Sequence, residues 1–181
     1  MTERRENIQR PRLGYSLLKA YENFGFKRYY KHLQVIGKEN IPYGKQDIFT
    51  PNPQPALMDA LAVANASKKD TVFFARADIF RKRRQAKFLR YLKIMPIYRI
   101  RDGAGELSKN EEIFKSAISI LEDHVPICIM PEGNHGEKRR LRNLVKGVFR
   151  IAFRAQENFK ENDGVKLVPV GLDYSHYVKF F

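Results

Sequence analysis

Apolar positions along the chain follow two periods, and the alternation between them predicts the architecture. Residues 13–32 carry Leu17, Leu18, Tyr21, Phe24, Tyr29 and Tyr30 at mostly helical spacing, which predicts one amphipathic helix or two short ones broken near Gly25. Short apolar runs predict strands at 33–36, closed by Gly37, and at 47–50, closed by Pro51. Further strands are predicted at 71–75, 95–99, 127–130 and 166–172. Between them lie helical stretches at 56–67, 77–93, 108–123 and 146–159. The third of these opens on Ser108, with Glu111 three residues on, the spacing of a capping box. Strands alternating with helices predict an α/β domain with a mainly parallel central sheet flanked by helices. No repeat, low-complexity tract or flexible linker divides the chain.

In parallel sheets ligands bind outside the carboxyl ends of the strands, so chemistry is sought just after each strand. The 47–50 strand is followed by Asn52-Pro53-Gln54-Pro55, then Asp59 in the first turn of the next helix. Read alone, Asp59 is explained by the helix dipole. The 95–99 strand delivers Arg99, then Arg101 and Asp102; an arginine there suits bidentate phosphate binding, though a solvated surface arginine has the same local look. The 127–130 strand delivers Pro131-Glu132-Gly133-Asn134-His135-Gly136 and a run of cations. Its glycines let backbone approach a ligand and form an anion-binding nest. A lone His135 is more often structural than catalytic. Three strand ends presenting Asp59, Arg99 and Glu132 through His135 together mark one site.

Charge narrows the partners. The chain has 181 residues with 34 Lys+Arg against 20 Asp+Glu, a formal net charge of +14, so it attracts something anionic: nucleic acid, a membrane surface or a phosphorylated substrate. Between Arg76 and Arg101 stand ten cationic residues and one acid, Asp78. Nucleic acid fits poorly, for there is no helix-turn-helix signature, RNP-type aromatic motif, zinc spacing or glycine-lysine phosphate loop. The single cysteine, Cys128, excludes an internal disulfide and an all-Cys metal site and fits a reducing compartment. No secretory h-region and no window of about 18 apolar residues occurs, so nothing here reads as a membrane span.

With these segments in place the sequence resembles the glycerolipid acyltransferase family, whose 1-acylglycerol-3-phosphate acyltransferases make phosphatidic acid. Pro131-Glu132-Gly133 matches the heart of the family's third motif, with Asn134 and His135 where Thr and Arg are usual. Pro96-Ile97-Tyr98-Arg99 matches the second, Val168-Pro169-Val170 the fourth, and Asn52 through Asp59 the first. The resemblance spans nearly the whole chain. It implies transfer of a fatty acyl group from acyl-CoA or acyl carrier protein to a lysophosphatidate-like acceptor in phospholipid biosynthesis, with no metal and no cofactor beyond that donor. It implies Asp59 as half of a catalytic pair, Arg99 on the acceptor phosphate, and Asn52, Glu132, Gly133, Asn134 and His135 shaping the substrate site.

One position departs from the pattern. The histidine that removes the hydroxyl proton follows the Asn directly in relatives with this spacing, and Pro53 stands there; Gln54, matching a shorter spacing, is no base either. Losing a general base costs about 10²–10⁴-fold in rate. Asp59 is a weaker base than imidazole, and His135 is the other rescue candidate. The alternative is a catalytically impaired lipid-binding relative; a His and a Pro codon can also differ by one base. The expected division is an N-terminal helical, membrane-facing segment over 1–32 and the acyltransferase domain over 33–181, which reads as shortened after Val170. The cluster from Arg81 to Lys93, interleaved with Phe80, Phe88, Leu89 and Tyr91, is expected to face anionic lipid. The expected location is cytoplasmic, bound peripherally to the cytoplasmic membrane.

Overall fold

A computed structural model describes residues 8–30, 32–42, 44–52, 57–98, 109–132, 143–159 and 164–174. Five strands form one sheet: β1 Asp47–Pro51, β2 Val72–Arg76, β3 Ile94–Ile97, β4 Ile127–Cys128 and β5 Lys166–Val170. Their order is β3-β2-β4-β1-β5, and every pairing is parallel. The α/β expectation therefore holds. Ile48 lies in register with Ile127 on one side and Leu167 on the other, so the central strands are apolar on both faces, as a covered parallel sheet requires. Each edge strand carries a proline, Pro96 in β3 and Pro169 in β5, and the interior strand β1 carries one only as its last residue, Pro51.

The helices are α1 Leu13–Tyr29, α2 Leu57–Ala66, α3 Arg83–Tyr91, α4 Asn110–Glu122 and α5 Lys146–Asn158. Alternate strand residues point to opposite faces and build two cores. On one face Ile48, Val72, Phe74 and Ile127 pack with Ile113, Phe114, Ile120 and Leu121 of α4 and Val148 and Ile151 of α5. On the other, Phe49, Phe73 and Cys128 pack with Val63 of α2. Ile48 is fully enclosed, and truncating it to Ala removes about 2–5 kcal/mol.

Helix α1 is built the other way round. Its domain-facing side carries buried Tyr15 and Phe26 but otherwise docks through polar groups. Lys19 reaches Asp70 at 3.1 Å, and Asn65 donates to Asn23 at 3.0 Å. Asp70 also accepts from buried Lys93 at 2.9 Å, whose ammonium stands over the Tyr15 ring at 4.9 Å. Burial alone would push the Asp70 carboxyl up, yet the hydrogen bonds from Lys93 and Lys19 hold it below the usual range. On the opposite side Leu13, Leu17, Tyr21 and Phe24 are 88, 74, 75 and 72% exposed. An ordinary surface helix puts its apolar stripe inward; here a complete stripe faces outward. Gly14 lets α1 abut the end of α3, since a Cβ there would lie 2.5 Å from the Tyr91 hydroxyl.

Several sequence expectations are corrected. Residues 33–36 form no strand; Leu33, Val35 and Ile36 are exposed and join no sheet, because an apolar run becomes a strand only when an edge accepts it. Gly25 does not break α1, which runs through it as one helix. Helix α4 begins at Asn110 rather than 108, and Ser108 of the expected capping box lies outside the described residues. Strand β4 ends at Cys128, although Ile129 still donates to the Phe49 carbonyl at 3.0 Å. The basic stretch 77–93 divides into a 3-10 turn, Ala77–Phe80, and α3.

Candidate active site

The carboxyl ends of β1 and β5 are joined by an asparagine. Asn52 follows β1 and donates its N–H to the Val170 carbonyl at 3.2 Å, extending the ladder by one bond. Its side chain then grips the next peptide: Nδ2 donates to the Leu172 carbonyl at 3.2 Å, and the Leu172 N–H donates to Oδ1 at 2.5 Å. The segment after β5, which has no regular structure of its own, is thereby held against the start of α2.

That grip delivers Tyr174 to Asp59. The Tyr174 hydroxyl donates to Asp59 Oδ1 at 2.9 Å, with both residues buried. Asp59 stands in the first turn of α2, where the helix dipole favours a negative charge, and its exposure is 0%. So enclosed, it can orient a neighbouring group but does not itself meet a substrate hydroxyl. The Tyr30 ring lies 5.8 Å from that of Tyr174, bringing the end of α1 to the same place. The Tyr30 phenol is pushed up by burial first, then by Tyr29 and the Asp59 charge. Cys128, beneath on β4, is pushed up by burial and then by Asp59; it is a neutral core thiol and no nucleophile.

A second asparagine makes a similar grip at the far side of the sheet. Asn110, buried at the start of α4, accepts from the Tyr98 N–H at 3.0 Å and donates to the Tyr98 carbonyl at 2.8 Å, holding the peptide just after β3. After β4, Glu132 is 7% exposed, and the Val145 N–H donates to the neighbouring Pro131 carbonyl at 2.7 Å.

The structure thus places Asn52, Asp59 and Glu132 at the same ends of adjacent strands. Pro53, Gln54, Arg99, Gly133, Asn134 and His135 lie outside the described residues. Among the described residues no group of three or more His, Cys, Asp or Glu could hold a metal ion. Residues 32–173 match the family profile described as Acyltransferase. The chain belongs to the Acyltransferase family. No curated protein and no solved structure matches it. The matched span contains all four motif segments read from the sequence, and membership supports a transferase role. Two polar residues of this acyltransferase fold were not singled out from sequence, Tyr174 and Asn110. Their only local signal is a position just past a strand or just inside a helix, which many polar residues share.

Proposed function

We propose that this acyltransferase-family protein moves a fatty acyl group from acyl-CoA or acyl carrier protein to the free hydroxyl of a lysophosphatidate-like glycerol phosphate acceptor, at an anionic membrane surface, in phospholipid biosynthesis. The observation that carries the reading is the enclosed Asp59, which lies inside the matched span and is held at the carboxyl end of the parallel sheet by Tyr174, one residue past that span. A carboxylate so placed orients, and supports charge on, a group that takes the hydroxyl proton as the hydroxyl attacks the thioester; the thiol leaves carrying the proton. Arg99 is assigned to the acceptor phosphate, and Glu132, Gly133, Asn134 and His135 to shaping its site. With Pro53 in the base position, positioning and electrostatics supply the rate that is left.

The membrane part of the reading rests on α1. A helix that turns Lys19 and Asn23 inward and Leu13, Leu17, Tyr21 and Phe24 outward suits an apolar surrounding on its outer side. Next to it α3 exposes Arg83, Arg84, Lys87 and Arg90 together with Phe88, the charge that anionic headgroups attract. No helix among the described residues is long and apolar enough to cross a membrane, so α1 would lie in the interface. The test is transfer from labelled long-chain acyl-CoA to lysophosphatidate in anionic vesicles, run on this chain and on Pro53→His. Turnover that rises in Pro53→His and falls when neutral vesicles are used supports the reading. Silence of both proteins sinks it. In parallel, Leu17→Asp is expected to weaken sedimentation with anionic vesicles roughly tenfold; unchanged sedimentation removes α1 from the interface.

A further inference from the structure

We propose that Tyr174 is the positioning residue of Asp59, and that Asn52 is the clamp that carries it there. The inference rests on the reading of Asp59 as half of the catalytic pair and adds two residues that act through it. An ionised carboxylate with no exposure has lost its water and must find its donors in the protein. The Tyr174 hydroxyl is such a donor, at 2.9 Å from a specified oxygen, Oδ1. A hydrogen bond of this kind fixes the carboxylate's rotation as well as favouring its charged form.

Tyr174 lies four residues beyond the end of β5, on chain that no helix or sheet holds in place. Three hydrogen bonds from Asn52 hold it instead: backbone N–H to Val170, and the two side-chain bonds to Leu172. Asn52 therefore works within the protein, gripping a peptide, and the notion of Asn52 as a substrate ligand gives way to that of a clamp. Behind the phenol the Tyr30 ring restrains Tyr174 from the other side. The titratable groups facing Asp59 among the described residues are Tyr174 after β5, Tyr30 at the end of α1 and Cys128 on β4. Burial pushes the Tyr30 phenol and the Cys128 thiol up, and Asp59 pushes both further, so near neutral pH both are uncharged.

Tyr174→Phe keeps the ring and removes the donor. Two readouts are taken, in the parent and in Pro53→His. The first is the carbon-13 titration of the Asp59 carboxyl, assigned by its disappearance in Asp59→Asn. Loss of a donor to the charged form moves the midpoint to higher pH. The second is steady-state acyl transfer, where kcat falls about 10- to 100-fold with KM for both substrates little changed. Asn52→Ala, which keeps the phenol but frees the segment bearing it, moves both readouts the same way by less. An unmoved midpoint in Tyr174→Phe overturns the proposal whatever the turnover. A change confined to KM also overturns it, since Tyr174 would then be lining the substrate site. If neither parent nor Pro53→His turns over, the acyl-transfer reading fails by itself, and the titration still decides whether Tyr174 governs Asp59.

Discussion

Asp47 opens β1 and Asp59 stands in the helix that follows it, so two buried carboxylates lie at opposite ends of one parallel sheet. Their surroundings differ. Asp59 accepts from Tyr174, whose segment is gripped by Asn52. Among the described residues Asp47 Oδ1 has no hydrogen-bond partner, and neither has Oε1 of its buried neighbour Gln46, whose amide nitrogen lies 3.4 Å from His124 Nδ1. Burial raises the Asp47 carboxyl to about 6, against the opposing pull of Lys69. A donor to a carboxylate favours its charged form and fixes its orientation, whereas burial with an unpartnered oxygen favours the neutral form, as at Asp47.

The sharpest way to test this contrast is to restore what Asp59 would orient. Pro53→His is expected to raise turnover about 10²–10⁴-fold, read in the vesicle assay; no gain would show that the missing base is not what limits this site. Next, in that background, Asp59→Asn is expected to lower kcat by about 10²-fold or more, whereas Asp47→Asn leaves it within about twofold. Equal losses would abolish the distinction between the two ends.

Stability should respond in the opposite sense. The folded carboxyl of Asp47 titrates near 6 against an ordinary value of 3.8, so the native state binds the extra proton between those values and ionisation costs stability above them. Asp47→Asn is therefore expected to stabilise the protein by on the order of 1–2 kcal/mol at about pH 7.5 in urea unfolding. The gain shrinks as pH falls through about 6 and is gone near 4; a gain that grows on acidification would reverse the sign of the argument. The smallest effect is expected from Lys69→Met, which removes the cation that opposes burial and should move the Asp47 midpoint up by less than about one pH unit. No movement would detach Lys69 from that carboxylate.

Much of the fold was legible because it rests on local period. The runs at 47–50, 71–75 and 166–172 read as strands, and the structure forms β1, β2 and β5 there; β1 and β2 are largely buried on both faces, while β5 is an exposed edge. The run at 33–36 has the same look and fails, because no edge pairs with it. Asn52 and Asp59 were visible just after the first strand, but only the resemblance to the acyltransferase family tied them into one motif. What holds them was not visible: Tyr174 is 115 positions from Asp59, and Leu172 is 120 from Asn52. Asn110 looked like the interior of a capped helix and instead grips Tyr98 across a strand end.

Helix α1 marks the limit most plainly. Its sequence established an apolar stripe at helical spacing, which suits a side facing a membrane and a side facing a core equally. Only packing decided that the stripe turns outward, because Asp70, Asn65 and Lys93 gather from separate elements to hold the polar side inward. Likewise the sequence alone determined that a carboxylate follows β1, that cations crowd residues 76–101 and that the chain alternates strand and helix. Which carboxylate oxygen receives a donor, and which is buried without one, depends on contacts between residues far apart in the chain. Periodicity is a property of neighbours along the chain; hydrogen-bond partners and exposed faces are properties of neighbours in space.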